Sequence, residues 1–164
     1  TPCGTLFPYT TLFRSICALP LPSACVDAVF CECVLTLLAQ ASLALGEFYR
    51  ILRPGGMLYC SDMYARNIGD FQASDRFGTC LTTLMPLDGL RRQLQDQGFT
   101  VLVKRDQTQL LTETAGRLVF EYGSTHLFWQ AVLGPSAGSG CASRVQALRP
   151  GYALFIAQKD ADHD

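Results

Sequence analysis

Charge is what this sequence has little of. Asp, Glu, Lys and Arg make up only 16% of its 164 residues, and acids and bases nearly cancel to a net charge of -1. Without a broad basic field, neither a nucleic-acid backbone nor an anionic membrane surface is expected as a partner, and a small neutral or mildly charged molecule is expected instead. Long apolar runs are also missing. The stretch Cys33 to Leu45 is broken by Thr36, Gln40 and Ser42 and falls short of the roughly 20 apolar residues that span a bilayer, so a soluble, cytoplasmic protein is expected, of unknown oligomeric state. No CxxC knuckle occurs among the eight cysteines. Most sit inside apolar runs, which favours buried reduced thiols over a disulfide framework. Histidine is scarce: of His126 and His163 only the first lies outside the polar tail. His126 is the weak candidate for a titrating base, since an unperturbed imidazole titrates near neutrality; a helix-surface or capping role is the alternative.

What is present is apolar material for one core, at 49% hydrophobic residues. Thr5 to Ser15, TLFPYTTLFRS, resembles the in-frame translation of a short-read sequencing adapter. Residues 1–15 are therefore set apart as a non-native segment. The natural chain is taken to begin near Ile16, truncated upstream; an ordinary loop containing Pro8 is the alternative reading.

From Ile16 short apolar runs alternate with helical patterns, as in a parallel sheet covered by helices. Leu19-Pro20-Leu21-Pro22 leads into Val26 to Cys31, a run suited to a strand buried on both faces. Ser42 to Arg53 has Leu45, Phe48, Ile51 and Leu52 at helical spacing, with Arg50 and Arg53 in the last turn, and Pro54-Gly55-Gly56 is expected to stop it. Met57 to Ser61 reads as the next strand, followed by a polar loop from Asp62 to Asp70. Pro86 to Gln97 reads as an amphipathic helix capped by Gly98 before a strand from Phe99 to Lys104. Helices are expected over Thr108 to Phe120 and Phe128 to Leu133, then a flexible loop of small residues from Gly134 to Gly140. A turn at Arg149-Pro150-Gly151 enters a last strand, Tyr152 to Ala157, and the tail 159–164 is polar enough to fray.

Three pieces, LPLPSACVDAVFCECVL (Leu19 to Leu35), EFYRILRPGGMLYCSD (Glu47 to Asp62) and LRRQLQDQGFTVLVK (Leu90 to Lys104), together resemble class I S-adenosylmethionine-dependent methyltransferases of the type 11-like kind. The L-R-P-G-G end of a helix, an apolar strand and an acidic residue are the most specific of these features. The resemblance implies an α/β fold: a partial Rossmann-like methyltransferase sheet, mostly parallel with an antiparallel edge strand and with helices on its faces. It places the fourth to seventh strands within residues 16–158, with 108–148 as an insertion of the kind that builds a substrate pocket. It also implies S-adenosylmethionine as cofactor and a small molecule as substrate. What the resemblance does not find is the glycine-rich first turn and the acid that holds the ribose hydroxyls. Gly138-Ser139-Gly140 follows a predicted helix, not a strand. The chain is accordingly expected to be a fragment, inactive alone.

Methyl transfer from a sulfonium needs in-line positioning, and a general base only where the acceptor must lose a proton, so a catalytic residue need not exist. By resemblance, Leu19, Pro20, Cys31, Glu32 and Cys33 line the cofactor. Asp62, Tyr64 and Arg66, after the fifth strand, are substrate candidates, as are Tyr122, Trp129 and Cys141 in the insertion. Packing, solvated-loop and exposed-thiol roles stand beside these. Asp27 is read equally as a turn carboxylate or a catalytic one. Cys31 and Cys33 are too few to hold zinc, which wants four ligands, so no metal site is assigned. Two readings stay open beside the small-molecule enzyme: a thiol-dependent methyltransferase of a metalloid such as arsenite, and a non-catalytic fragment.

Overall fold

The computed structural model describes residues 15–67, 81 and 83–161. In chain order these residues form β1 (Val26–Glu32), a 3-10 turn (Leu35–Leu37), α1 (Ala41–Ile51), β2 (Leu52–Ala65), α2 (Leu87–Asp96), β3 (Phe99–Asp106), α3 (Thr108–Tyr122), α4 (Thr125–Leu133), α5 (Pro135–Leu148) and β4 (Pro150–Lys159). Asp70, Cys3, Cys80 and His163 lie outside the described residues.

The strands make a four-stranded sheet in the order β1-β2-β4-β3. β1 and β2 run parallel in register, Phe30 opposite Tyr59 and Cys31 opposite Cys60, as the crossover through α1 requires. β4 runs antiparallel to both its neighbours, so β1, β2 and β3 share one direction. One expected detail is corrected: the reversed last strand is internal, between β2 and β3, and not at the edge. Its alternation shows why. Ala153, Phe155 and Ala157 are fully buried on one face while Tyr152, Leu154 and Ile156 are half-covered on the other, and such a strand gains most from neighbours on both sides.

The helix before β2 ends at Ile51, and β2 begins at once. Pro54-Gly55-Gly56 is thus not a separating turn but a bulge inside the strand. Pairing jumps from Val26↔Leu52 to Ala28↔Met57, five residues of β2 against two of β1. Gly55 takes φ +75°, and a Cβ on Gly56 would stand 2.8 Å from the Arg53 carbonyl, so both positions demand glycine. Asp27, beside the bulge, is ion-paired with Arg53 on the surface, a local structural role. The polar loop expected from Asp62 is displaced as well, since the strand continues through Ala65.

One face of the sheet carries the core. Ala44, Leu45 and Phe48 of α1 and Leu90 and Leu94 of α2 pack on Leu58, Cys60, Phe155 and Ala157. Each such leucine contributes about 1.5–3 kcal/mol by burial. The opposite face is open at β1, where Phe30 is 71% exposed and stacks on Tyr59 with ring centroids 4.8 Å apart.

The stretch from Gly134 to Gly140, expected as a flexible loop, is the start of α5. Gly134 (φ +83°) ends α4, and Pro135 opens the next helix with a preset φ. The small residues are there for contact: a Cβ on Gly138 would lie 2.4 Å from the Trp129 carbonyl oxygen. Hydroxyls of Ser139 and Ser143 return to carbonyls four residues back, satisfying themselves within the helix.

Candidate functional site at the carboxyl ends of the parallel strands

In an open α/β sheet, ligands gather outside the carboxyl ends of parallel strands. Here that place is where β1 ends, Glu32 level with Ser61, while β2 runs on to Ala65. Successive strand residues point to opposite faces, which separates the Cys31-Glu32-Cys33 triplet. Cys31 turns into the core beneath α1, where it meets the Cys60 thiol. A hydrogen bond from Cys60 lowers the Cys31 thiol below the ordinary cysteine range, against the opposing effects of burial and the Asp62 charge. The same bond, with burial, pushes Cys60 well up.

Glu32 is exposed at the strand end. Cys33 adopts a left-handed backbone (φ +53°). Its N–H donates to the Ser61 carbonyl at 2.8 Å, fixing the exit from β1. Its thiol, raised by burial, approaches the Tyr152 hydroxyl at 3.9 Å. Tyr152 in turn donates to Ser61 Oγ at 2.8 Å, and its own phenol is raised by burial. Tyr152 and Ser61 belong to this cluster although the sequence did not single them out. The available signal was the strict alternation of the last strand, which puts Tyr152 on the face opposite the core.

Asp62 is 1% exposed and fully engaged. It accepts from Thr36 Oγ1 at 2.6 Å, Thr36 N at 3.1 Å and Met63 N at 2.8 Å. It anchors the turn after β1 to β2, and three donors stabilise its buried charge. Tyr64 is likewise buried; its hydroxyl donates to Asp106 Oδ2 at 2.8 Å. Thr108 holds the Asp106 carboxyl below its usual value through side-chain and backbone hydrogen bonds. Burial raises Tyr64. Gly151 is required beneath that ring, because a Cβ there would sit 2.4 Å from it. Arg66 is exposed, its backbone N–H bonded to Leu148 O.

Leu19 and Pro20 lie ahead of β1, strapped onto α1. The Leu19 N–H donates to Glu47 at 2.7 Å, and Arg50 donates to the carbonyls of Leu19 and Leu21. Arg50, read from sequence as favouring the helix dipole, therefore acts as a clamp. Its guanidinium also holds Glu47 down to about 2. Both backbone polar groups of Leu19 are engaged within the protein, so a ligand at this segment would meet its side chain and Pro20.

The insertion residues divide. Trp129 packs edge to face on Phe128 at 5.0 Å, and Phe128 on Tyr122 at 5.3 Å. Trp129 and Phe128 line a half-open cavity of about 230 Å³ bordered by α3, α4, α5 and Met63 of β2. Tyr122 is partly exposed at the end of α3, and His126 is exposed on α4, outside the cavity lining. Cys141, expected as a thiol on a loop, is fully buried inside α5. Among the described residues Cys17, Cys31, Cys33 and Cys60 are free thiols. Among the described residues no group of three His, Cys, Asp or Glu side chains stands placed to hold a metal ion. Nor is any described helix long and apolar enough to cross a membrane.

Comparison with known proteins decides the fold family. Residues 8–60 match the model of a methyltransferase domain, and solved methyltransferases superpose on nearly the whole chain. The fold is that of a class I methyltransferase. Phosphoethanolamine N-methyltransferase 2 of Haemonchus contortus, solved with phosphomonomethylethanolamine and S-adenosylhomocysteine, is similar with TM-score 0.63 and 15% identity over 89% of this chain and 36% of that one. The [4+2]-cyclase SpnF has TM-score 0.66 and 22% identity over 90% of this chain and 55% of that one. Arsenite methyltransferase of Aquipseudomonas alcaligenes is 32% identical over 106 residues, 62% of this chain. The chain spans 31% of the length of that curated relative. The resemblance read from the LRPGG segment is borne out.

Proposed function

We propose that this chain is part of an S-adenosylmethionine-dependent methyltransferase of a small molecule, working in the cytoplasm, and that residues 1–15 are foreign to it. The observation that supports this most is the carboxyl end of β1, level with Ser61 of the longer β2, with the Glu32 carboxylate exposed there and Cys33, Ser61 and Tyr152 bonded into one group beside it. The fold by itself does not dictate chemistry, since a cyclase shares it; the sequence match to a methyltransferase domain supports this one.

The residues fit the methionine end of the cofactor. Glu32 presents an acceptor to an ammonium group, and Cys33 closes the strand end with its backbone. When bound, the cofactor supplies a methyl group on a positively charged sulfur. Glu32, Cys33 and the Tyr152–Ser61 pair orient and shield that end, while Leu19 and Pro20 offer an apolar border. No side chain is needed as base unless the acceptor must lose a proton. The sequence holds no glycine-rich turn after a strand, so the chain alone transfers no methyl group in this reading.

A second reading has its own observation. An arsenite methyltransferase is a relative, and the half-buried Cys33 thiol stands at the exit of β1 beside Tyr152, which together favour a metalloid acceptor met by sulfur.

The test is methyl transfer from labelled S-adenosylmethionine by the protein with its uninterrupted upstream coding sequence restored before Ile16. Label in a small organic acceptor supports the first reading. Label in arsenite alone, lost in C33S, supports the second. No transfer to either, or equal transfer by the present chain, contradicts both the enzyme and its division.

A further inference from the structure

We infer that the cavity between α3, α4 and α5 is the seat of the acceptor, and that it takes a neutral, apolar molecule of one or two rings. This rests on the methyltransferase reading for the word acceptor, while the ligand chemistry rests on the walls alone. The volume is about 230 Å³. An apolar protein cavity of roughly 150 Å³ stays dry and binds benzene, so there is room here for a second ring or a short branched chain. Every lining residue is apolar or a threonine, and none is charged. A ligand bringing a charge would have to leave it unpaired against apolar walls, which strongly disfavours it.

The threonines narrow the chemistry further. Thr112 Oγ1 donates to the Thr108 carbonyl and Thr114 Oγ1 to that of Leu110. Those two protons are committed to the helix and leave only oxygen lone pairs, so the Thr125 hydroxyl is the one threonine donor in the lining. Phe128 and Trp129 meet at 62°, forming a corner of two flat walls that suits an aromatic or unsaturated ring. Position ties the cavity to the strand ends. Met63 lines it, and Met63 is the register partner of Tyr152, the residue bonded to Ser61. A ring seated there lies next to the cluster that closes β1.

Trp129 is the only tryptophan in the chain, so the cavity carries its own reporter. Titrating this chain with 2-nitronaphthalene, a neutral two-ring quencher, is expected to quench Trp129 fluorescence saturably, and A115F, which fills the cavity from α3, to weaken that binding by about tenfold or more. Phosphocholine and arsenite are expected to leave the signal unchanged. Linear, unsaturable quenching, equal quenching in A115F, or a response to the two polar probes would overturn the proposal. Should A115F fail to fold, methyl NMR of the unaltered chain decides: shifts at Met63, Leu111 and Leu118 support the cavity, and shifts confined to residues around Phe30 and Tyr59, or none, refute it. Neither readout uses the cofactor, so a ligand that binds in a protein that transfers no methyl group would sink the enzyme reading and leave the cavity standing.

Discussion

Helices α1 and α3 draw on similar amounts of apolar sequence, yet α1 hides five of its 11 residues against the sheet while α3 buries none of its 15. The first is welded to the core through Leu45 and Phe48; the second leans on α4 and the start of β4 around a cavity. Close packing leaves no room for a ligand, and a shell of half-covered apolar walls does. The difference between the two regions therefore separates what holds the protein together from what is available to bind something.

That contrast is sharpest where a large side chain is removed. Leu45→Ala, at a fully buried position, should lower unfolding free energy by about 2–5 kcal/mol in a urea titration. Phe120→Ala on α3, where the ring is 93% exposed, should change it by less than about 0.5 kcal/mol. Equal effects would break the comparison. Next in size, Gly138→Ala is expected to cost about 1–3 kcal/mol by forcing α5 off the backbone of α4. Stability unchanged there would mean that the two helices are not packed as closely as their geometry shows. Smaller again, Tyr64→Phe should cost about 0.5–1.5 kcal/mol through loss of the bond to Asp106, and the Asp106 carboxyl should titrate higher by NMR.

The smallest effect concerns the strap on α1. Glu47 titrates at about 2 in the folded chain, below the ordinary glutamate value of about 4.3. A carboxylate lowered by folding adds stability that is full above the ordinary value and disappears as pH falls towards 2. Unfolding curves between pH 5 and pH 2.5 should thus slope less in Glu47→Gln than in the parent chain. Parallel slopes would show that Glu47 does not hold Arg50 and the Leu19 segment.

How legible all this was in the sequence follows the reach of each interaction. β1, α2, β3 and the last strand could be read because their patterns are local: a buried run, a helical stripe, a strict alternation. Gly134 to Gly140 could not, because the same small residues serve a flexible loop and a close helix crossing, and only the Trp129 carbonyl lying over Gly138 decides between them. The burial of Asp62 depends on Thr36, 26 residues away, and so a residue picked as a substrate contact is an internal tie. Cys31 and Glu32 looked equivalent after the strand until register with β2 sent one thiol into the core and left the carboxylate outside.

Most depends on the proposal that the end of β1, beside Ser61 of β2, holds S-adenosylmethionine. Calorimetric titration of the cofactor into the protein with its upstream sequence restored, beside the Glu32→Gln variant, tests it most directly. Micromolar binding, weakened about tenfold or more by the loss of that one charge, is the predicted result. No binding, or binding indifferent to Glu32, would contradict it.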